Sequence, residues 1–141
     1  MIQELMIINK AGIALFYHNF KDVDKTNDEQ SLASYFDIIC RFTKNNFNES
    51  LRMLTLDSFI FFFYTHKSDY HLVLKCLNKK INKKLLEEIA ENILNTFLTQ
   101  FKNILEDFNG EITHFRLFSN IVESIIASIL RDYKEPVIIE H

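Results

Sequence analysis

The densest group of chemistry-bearing side chains is His66, Asp69 and His71, two imidazoles and a carboxylate of the kinds that hold a transition metal. All three crowd one predicted turn, and side chains that flank a turn can point to different faces of the sheet, so the group reads as solvated turn residues rather than as ligands. Cys40 could be paired on paper with His18 or His71 as a thiol nucleophile and its base. It follows Ile38-Ile39 in a helix expected to pack, however, and a thiol in apolar surroundings stays protonated and inert. No Ser, His and Asp set accompanies the glycine pattern of a nucleophile elbow. The acidic pairs Glu87-Glu88 and Glu106-Asp107 fall on the polar side of a helix, where they serve solubility. Two Gly and one Pro in 141 residues also exclude a P-loop and a dinucleotide fingerprint. The expectation is a protein that is not an enzyme, with no catalytic residue, no cofactor and no metal.

The lysines carry more information. Lys75, Lys79, Lys80, Lys83 and Lys84 lie at and before the start of a predicted helix, where the macrodipole disfavours cations. Lys83/Glu87 and Lys84/Glu88 have the less favourable order for i,i+4 pairs, with Lys on the N-terminal side. Helix stability therefore does not account for the cluster. The plain reading is a solvated turn; the functional one is a surface for an acidic partner or anionic lipid, at about 1 kcal/mol per lysine near a charged membrane. The chain as a whole has a formal net charge of -3, which gives no general attraction for phosphate backbones and argues against nucleic acid. Cys40 and Cys76 both lie in apolar stretches and read as two reduced, buried thiols of a reducing compartment. The N-terminal apolar run, cut off at Asn9-Lys10, has neither the basic leader nor the cleavage site of a signal peptide. No apolar stretch approaches the roughly 20 residues that a bilayer span needs.

These residues need elements to position them. Residues 4–8 and 13–20 read as a β-hairpin around the Asn9-Lys10-Ala11-Gly12 turn. Thr26 and Glu29 have capping-box spacing ahead of a helix over 28–44, in which Leu32, Tyr35, Phe36, Ile39 and Phe42 recur at steps of three and four. Strands are expected over 51–56, 59–66 and 70–77. The run Phe59 to Tyr64 is apolar at every position, so the sheet must be covered on both faces, because successive strand side chains alternate between them. Asn82 can cap a helix over 83–108 that stops at Asn109-Gly110, and Thr113 can cap a last helix ending at Lys134-Glu135-Pro136. The order is β-β-α-β-β-β-α-α. It predicts an α+β fold with a five-stranded antiparallel sheet, one helix on one face and two C-terminal helices on the other. Residues 1–135 are expected to be a single domain, with 136–141 as a C-terminal tail.

This order, with the opening Ile2-Gln3-Glu4-Leu5-Met6-Ile7-Ile8-Asn9-Lys10-Ala11-Gly12, resembles the longin domains of the longin/roadblock superfamily, such as the small sigma chains of clathrin adaptors and archaeal longin-domain proteins. The likeness in element order reaches to about Tyr133, whereas the likeness in residues is confined to the first dozen positions. A roadblock domain would put a helix ahead of the first strand and one helix at the end. Here there is no room for the first, and the second is doubled. The downstream features of sigma chains are not found, so an adaptor-complex role does not carry over.

The resemblance implies a non-enzymatic scaffold or adaptor in small-GTPase regulation or vesicle-trafficking assemblies, cytoplasmic and open to peripheral membrane contact. It implies homo- or heterodimerisation with another longin or roadblock domain, and binding of a small GTPase. It also implies that the third strand is a sheet edge open to pairing. The groove between the first helix and that strand, assigned to Phe36, Ile39, Phe42, Leu51 and Met53, is the expected partner site. The alternative is a small-molecule-binding sensor domain. That reading requires a sizeable cavity with convergent polar groups, and the strand interiors offer almost none.

Overall fold

The computed structural model describes residues 2–21 and 28–133. Thr26 of the expected capping box, the Lys134-Glu135-Pro136 stop and the tail 136–141 lie outside the described residues. The chain divides into two compact units, Ile2–Lys79 and the segment that begins at Lys80.

The first unit contains the whole sheet. Its elements are β1 (Ile2–Ile8), β2 (Ala14–Asn19), α1 (Glu29–Phe47), β3 (Met53–Thr55), β4 (Phe59–Thr65) and β5 (His71–Leu77). The strands lie in the order β2-β1-β5-β4-β3, with every neighbouring pair antiparallel. The chain therefore leaves one edge of the sheet at β2 and re-enters at the opposite edge at β3, and α1 makes the crossing. Four inter-strand spacings amount to about 19 Å. The 19 residues of α1 rise about 28 Å, enough to span that width.

Register separates the two faces. Met6, Ile8, Ala14, Phe63 and Val73 turn towards α1 and close a core with its Ala33, Phe36 and Cys40. On the other parity Leu5, Ile7, Ile60, Phe62, Leu72, Leu74 and Cys76 are buried as well, as the apolar run in β4 required. Phe36 packs against Phe61 and Phe63 with ring centroids 5.1 and 5.3 Å apart, seating the middle of the helix on β4. The register shifts at Ile7/Ile8, which leaves Ala14 to bond elsewhere. The Gln30 side chain takes its place, accepting from the Ala14 amide at 2.9 Å and donating to its carbonyl at 3.0 Å.

Boundaries differ from expectation where local chemistry overrides pattern. Asp28 is the N-cap of α1, its carboxylate accepting from the Gln30 and Ser31 amides. The helix continues three residues beyond Lys44, through the Asn45-Asn46 pair, because Asn48 closes it in the left-handed conformation at φ 55°. Strand β3 keeps only three residues, and it lies at the sheet edge as the longin order implies.

The second unit is helical. Asn82 caps α2 (Lys83–Gln100), as expected, by accepting from the Leu85 amide. The helix expected over 83–108 is instead kinked: the backbone leaves the helical basin at Phe101 before α3 (Lys102–Glu106) resumes. The hydrogen bonds from Phe101 to Phe97 and from Leu105 to Phe101 survive on either side. The bend seats the Phe101 ring among Phe97, Phe115 and Phe118, with centroids 5.0 to 5.8 Å away, so aromatic packing prevails over a straight apolar stripe. The last helix opens as a 3-10 turn over Thr113–Leu117 and becomes α4 (Phe118–Asp132). Thr113 does not cap it; its hydroxyl donates to Glu111. The Tyr133 hydroxyl donates to Glu88 at 3.0 Å, tying the end of α4 to α2.

Candidate functional site

Helix α1 presents three faces, and two of them are available to other molecules. Ala33, Phe36 and Cys40 form the core face. On nearly the opposite side of the helix, Tyr35, Ile38 and Phe42 follow one another at i, i+3 and i+7. In a helix docked by one stripe this second row would normally be polar. Here Tyr35 is 51% exposed, Ile38 62% and Phe42 58%, and the Phe47 ring beyond them is 65% exposed. Phe42 and Phe47 meet edge to face at 6.2 Å, which makes a contiguous aromatic patch of the end of the helix.

This patch rearranges the expected groove. Phe36 is buried in the core. Ile39 and Leu51 are partly buried against that core, and Phe42 is exposed. Met53 stands opposite Phe62, on the sheet face away from α1; its neighbour Leu54, opposite Phe61, is the β3 residue that packs beside the helix. Tyr35, Ile38 and Phe47 fall outside the expected set. Tyr35 lies on the predicted apolar stripe, and only burial distinguishes a residue under a helix from one on its flank.

The third face borders a cleft of 680 Å³ at the end of the sheet where β1 stops and β5 begins. Asp37, Cys40, Arg41, Lys44 and Asn45 of α1 line one wall. Lys10 of the β1–β2 turn, Ser50 and Leu51 after α1, and residues 65–71 around the β4–β5 hairpin supply the rest. At its base Asp37 is buried and held on both oxygens: Arg41 Nε donates to Oδ2 at 2.8 Å, and His71 Nε2 lies 3.4 Å from Oδ1. Arg41 Nη2 also donates to the Lys10 carbonyl, fastening helix to turn. Thr65 Oγ1 is 2.9 Å from His71 Nδ1; with its hydroxyl donating there, the ring proton falls on Nε2, facing Asp37. Burial lowers the His71 pKa below its ordinary 6.5, against the raising effect of Asp37. Gly12 closes over this pair at φ +82°, where an added Cβ would sit 3.2 Å from Asp37 Oδ2.

The His66, Asp69 and His71 group is accordingly taken apart. His71 is committed to Thr65 and Asp37, while His66 Nδ1 accepts from the Ser68 amide and faces its hydroxyl at 2.7 Å. Cys40 and Cys76 are both buried free thiols. Burial pushes each up to about 12, with nearby Asp37 adding to the effect at Cys40, so neither supplies thiolate at neutral pH.

Of the five lysines singled out by adjacency, Lys75 is engaged inside the sheet. Its Nζ donates to Glu4 Oε2 at 3.0 Å and lies 4.1 Å above the Phe59 ring. Tyr17 donates to the other Glu4 oxygen at 2.6 Å, and burial followed by that carboxylate raises the phenol's pKa. Lys79, Lys80, Lys83 and Lys84 are exposed. No helix among the described residues is long and apolar enough to cross a membrane.

By sequence, no protein-family model and no curated protein matches the chain. Solved structures do resemble it. The gliding protein MglB from Thermus thermophilus aligns with a TM-score of 0.50 at 16% identity, over 64% of this chain and 79% of that one. A chain of the mammalian SRP receptor structure aligns with a TM-score of 0.59 at 11% identity, over 95% of this chain and 98% of that one. Together with the five-stranded antiparallel sheet and the order of its elements, these likenesses show that the fold is longin-like.

Proposed function

We propose that this protein is a non-enzymatic longin-type scaffold that acts through α1, pairing with a second copy or with another longin or roadblock domain and engaging a small GTPase. The observation that carries the reading is the row Tyr35, Ile38 and Phe42 with Phe47 beyond it, large apolar side chains left more than half exposed on α1. A patch of that kind is costly in water and is characteristic of surfaces that meet another protein. A second surface for pairing is the short edge strand β3, which has a strand neighbour on one side only. Support for a GTPase as the partner comes from the longin-like fold and from nothing more local, which makes that part an analogy of fold. The setting that fits such a scaffold is the cytoplasm. Vesicle-trafficking assemblies and an acidic or lipid contact at Lys79, Lys80, Lys83 and Lys84 belong to the same proposal.

Sedimentation equilibrium tests the pairing. The wild type should associate, and Phe42→Asp or Ile38→Asp should give a folded monomer, since both positions are exposed. A monomeric wild type at high concentration, together with no GTPase retained from a native extract, would remove the basis of the scaffold reading.

A further inference from the structure

We propose that the cleft at the end of the sheet is a binding site for the phosphate group of a small ligand, separate from the apolar row on α1. Its lining inverts the charge of the chain. Lys10, Arg41, Lys44 and Lys67 stand there against only Asp37 and Asp69, in a protein of net charge -3. Asp37 is already neutralised by Arg41 within the base. Among the described residues, no carboxylate lies within ion-pairing distance of the Lys10, Lys44 or Lys67 ammonium.

Three unpaired cations brought to one concavity repel each other. Local structure explains only one of them, Lys44, which sits in the last turn of α1 where the macrodipole favours positive charge. Lys10 and Lys67 reach the same cleft from two different turns, and no ion pair among the described residues accounts for their meeting there. An anion would relieve the repulsion. Compact ammonium groups suit phosphate as point charges, and Asn45 and Ser50 on the same wall add neutral hydrogen-bond donors. At 680 Å³ the cleft has the size of a small-ligand site rather than of a single ion. Cys40 and Leu51 supply apolar wall for the remainder of such a ligand. The Arg41 and His71 contacts to Asp37 fix the base before anything binds, which limits the ordering cost of association.

The same phosphate chemistry is offered by a soluble ligand and by a lipid headgroup, and two probes separate these sources. Thermal unfolding is followed with inorganic pyrophosphate. Cosedimentation is followed with phosphatidylcholine vesicles containing phosphatidylinositol bisphosphate. The variants are Lys10→Gln/Lys44→Gln/Lys67→Gln and, as a control of equal charge away from both the cleft and the Lys79–Lys84 cluster, Lys21→Gln/Lys102→Gln/Arg116→Gln. Stabilisation of the wild type by about 5–10 °C at pyrophosphate a hundred times its Kd, lost in the cleft variant and kept in the control, supports a soluble phosphate ligand. Vesicle binding that falls at least about tenfold in the cleft variant alone supports a lipid headgroup. A wild type that responds to neither probe, or a cleft variant that responds as the wild type does, overturns the proposal. All six substituted positions are exposed, so both variants are expected to fold.

Discussion

Two ionic clusters lie on the α1 side of the sheet, and they are built to different ends. At one, the Glu4 carboxylate is shared by the Tyr17 hydroxyl and the Lys75 ammonium, and Lys75 rests on the Phe59 ring. Each charge there has its counterpart, and the group simply fastens β1, β2 and β5 together. At the other, Asp37, Arg41 and His71 form an equally closed pair of contacts, yet they serve as the floor of a cleft lined by Lys10, Lys44 and Lys67, with Asp69 the one other acid of the lining and no carboxylate of the described residues within ion-pairing distance of the three ammonium groups. A balanced cluster stabilises a fold; a surplus of one sign held over a rigid base is an arrangement for something that arrives from outside.

If that contrast is right, the largest effect on stability belongs to the floor. Asp37→Ala should cost about 2–3 kcal/mol in urea denaturation, because it strands a buried imidazole N–H and releases Arg41 from the helix-to-turn link. A loss below about 0.5 kcal/mol would mean that the base is not structural. Gly12→Ala should cost about 1–2 kcal/mol in the same measurement, from the left-handed backbone and the close approach to Asp37. Glu4→Gln in the balanced cluster should cost about 1 kcal/mol, since Lys75 keeps one neutral acceptor and its ring contact.

The pH dependence separates the clusters without large perturbation. The folded His71 pKa lies below the unfolded value near 6.5, so the unfolded chain binds the extra proton first. The contribution is therefore fully present above pH 6.5 and is lost as pH falls through the lowered folded value. His71→Asn should make the decline of the urea midpoint below pH 6.5 shallower, and an unchanged slope would show that another group governs it. The smallest stability effect is expected at Lys67, where Gln should change the unfolding free energy by no more than about 0.5 kcal/mol while weakening pyrophosphate binding.

The sequence disclosed the elements better than the surfaces. Apolar runs are enough to place β4 and β5, and three-four spacing places α1; of its predicted stripe, however, Phe36 is buried in the core while Tyr35 and Phe42 face outwards. The kink at Phe101 is not legible, because it depends on rings that arrive from Phe115 and Phe118. The site residues are the least legible. Adjacency draws attention to Lys75 through Lys84, whereas Lys10, Lys44 and Lys67 are scattered over three segments and meet only through the strand order. Polar residues are indeed scarce in the strand interiors, but that scarcity says nothing about this cleft, whose polar groups come from strand ends, turns and the flank of a helix. Asp37 illustrates the difficulty: its position shares the buried face with Ala33, Phe36 and Cys40, but spacing does not disclose the Arg41 and His71 contacts that let an acid sit there.

The grip of Gln30 on Ala14 has a consequence for the oily flank of the same helix. With its first turn hooked to β2 and its middle anchored through Arg41 to the Lys10 carbonyl, α1 is held against rolling about its own long axis. Tyr35, Ile38 and Phe42 cannot tuck themselves underneath, so two polar latches hold their exposure to water in place.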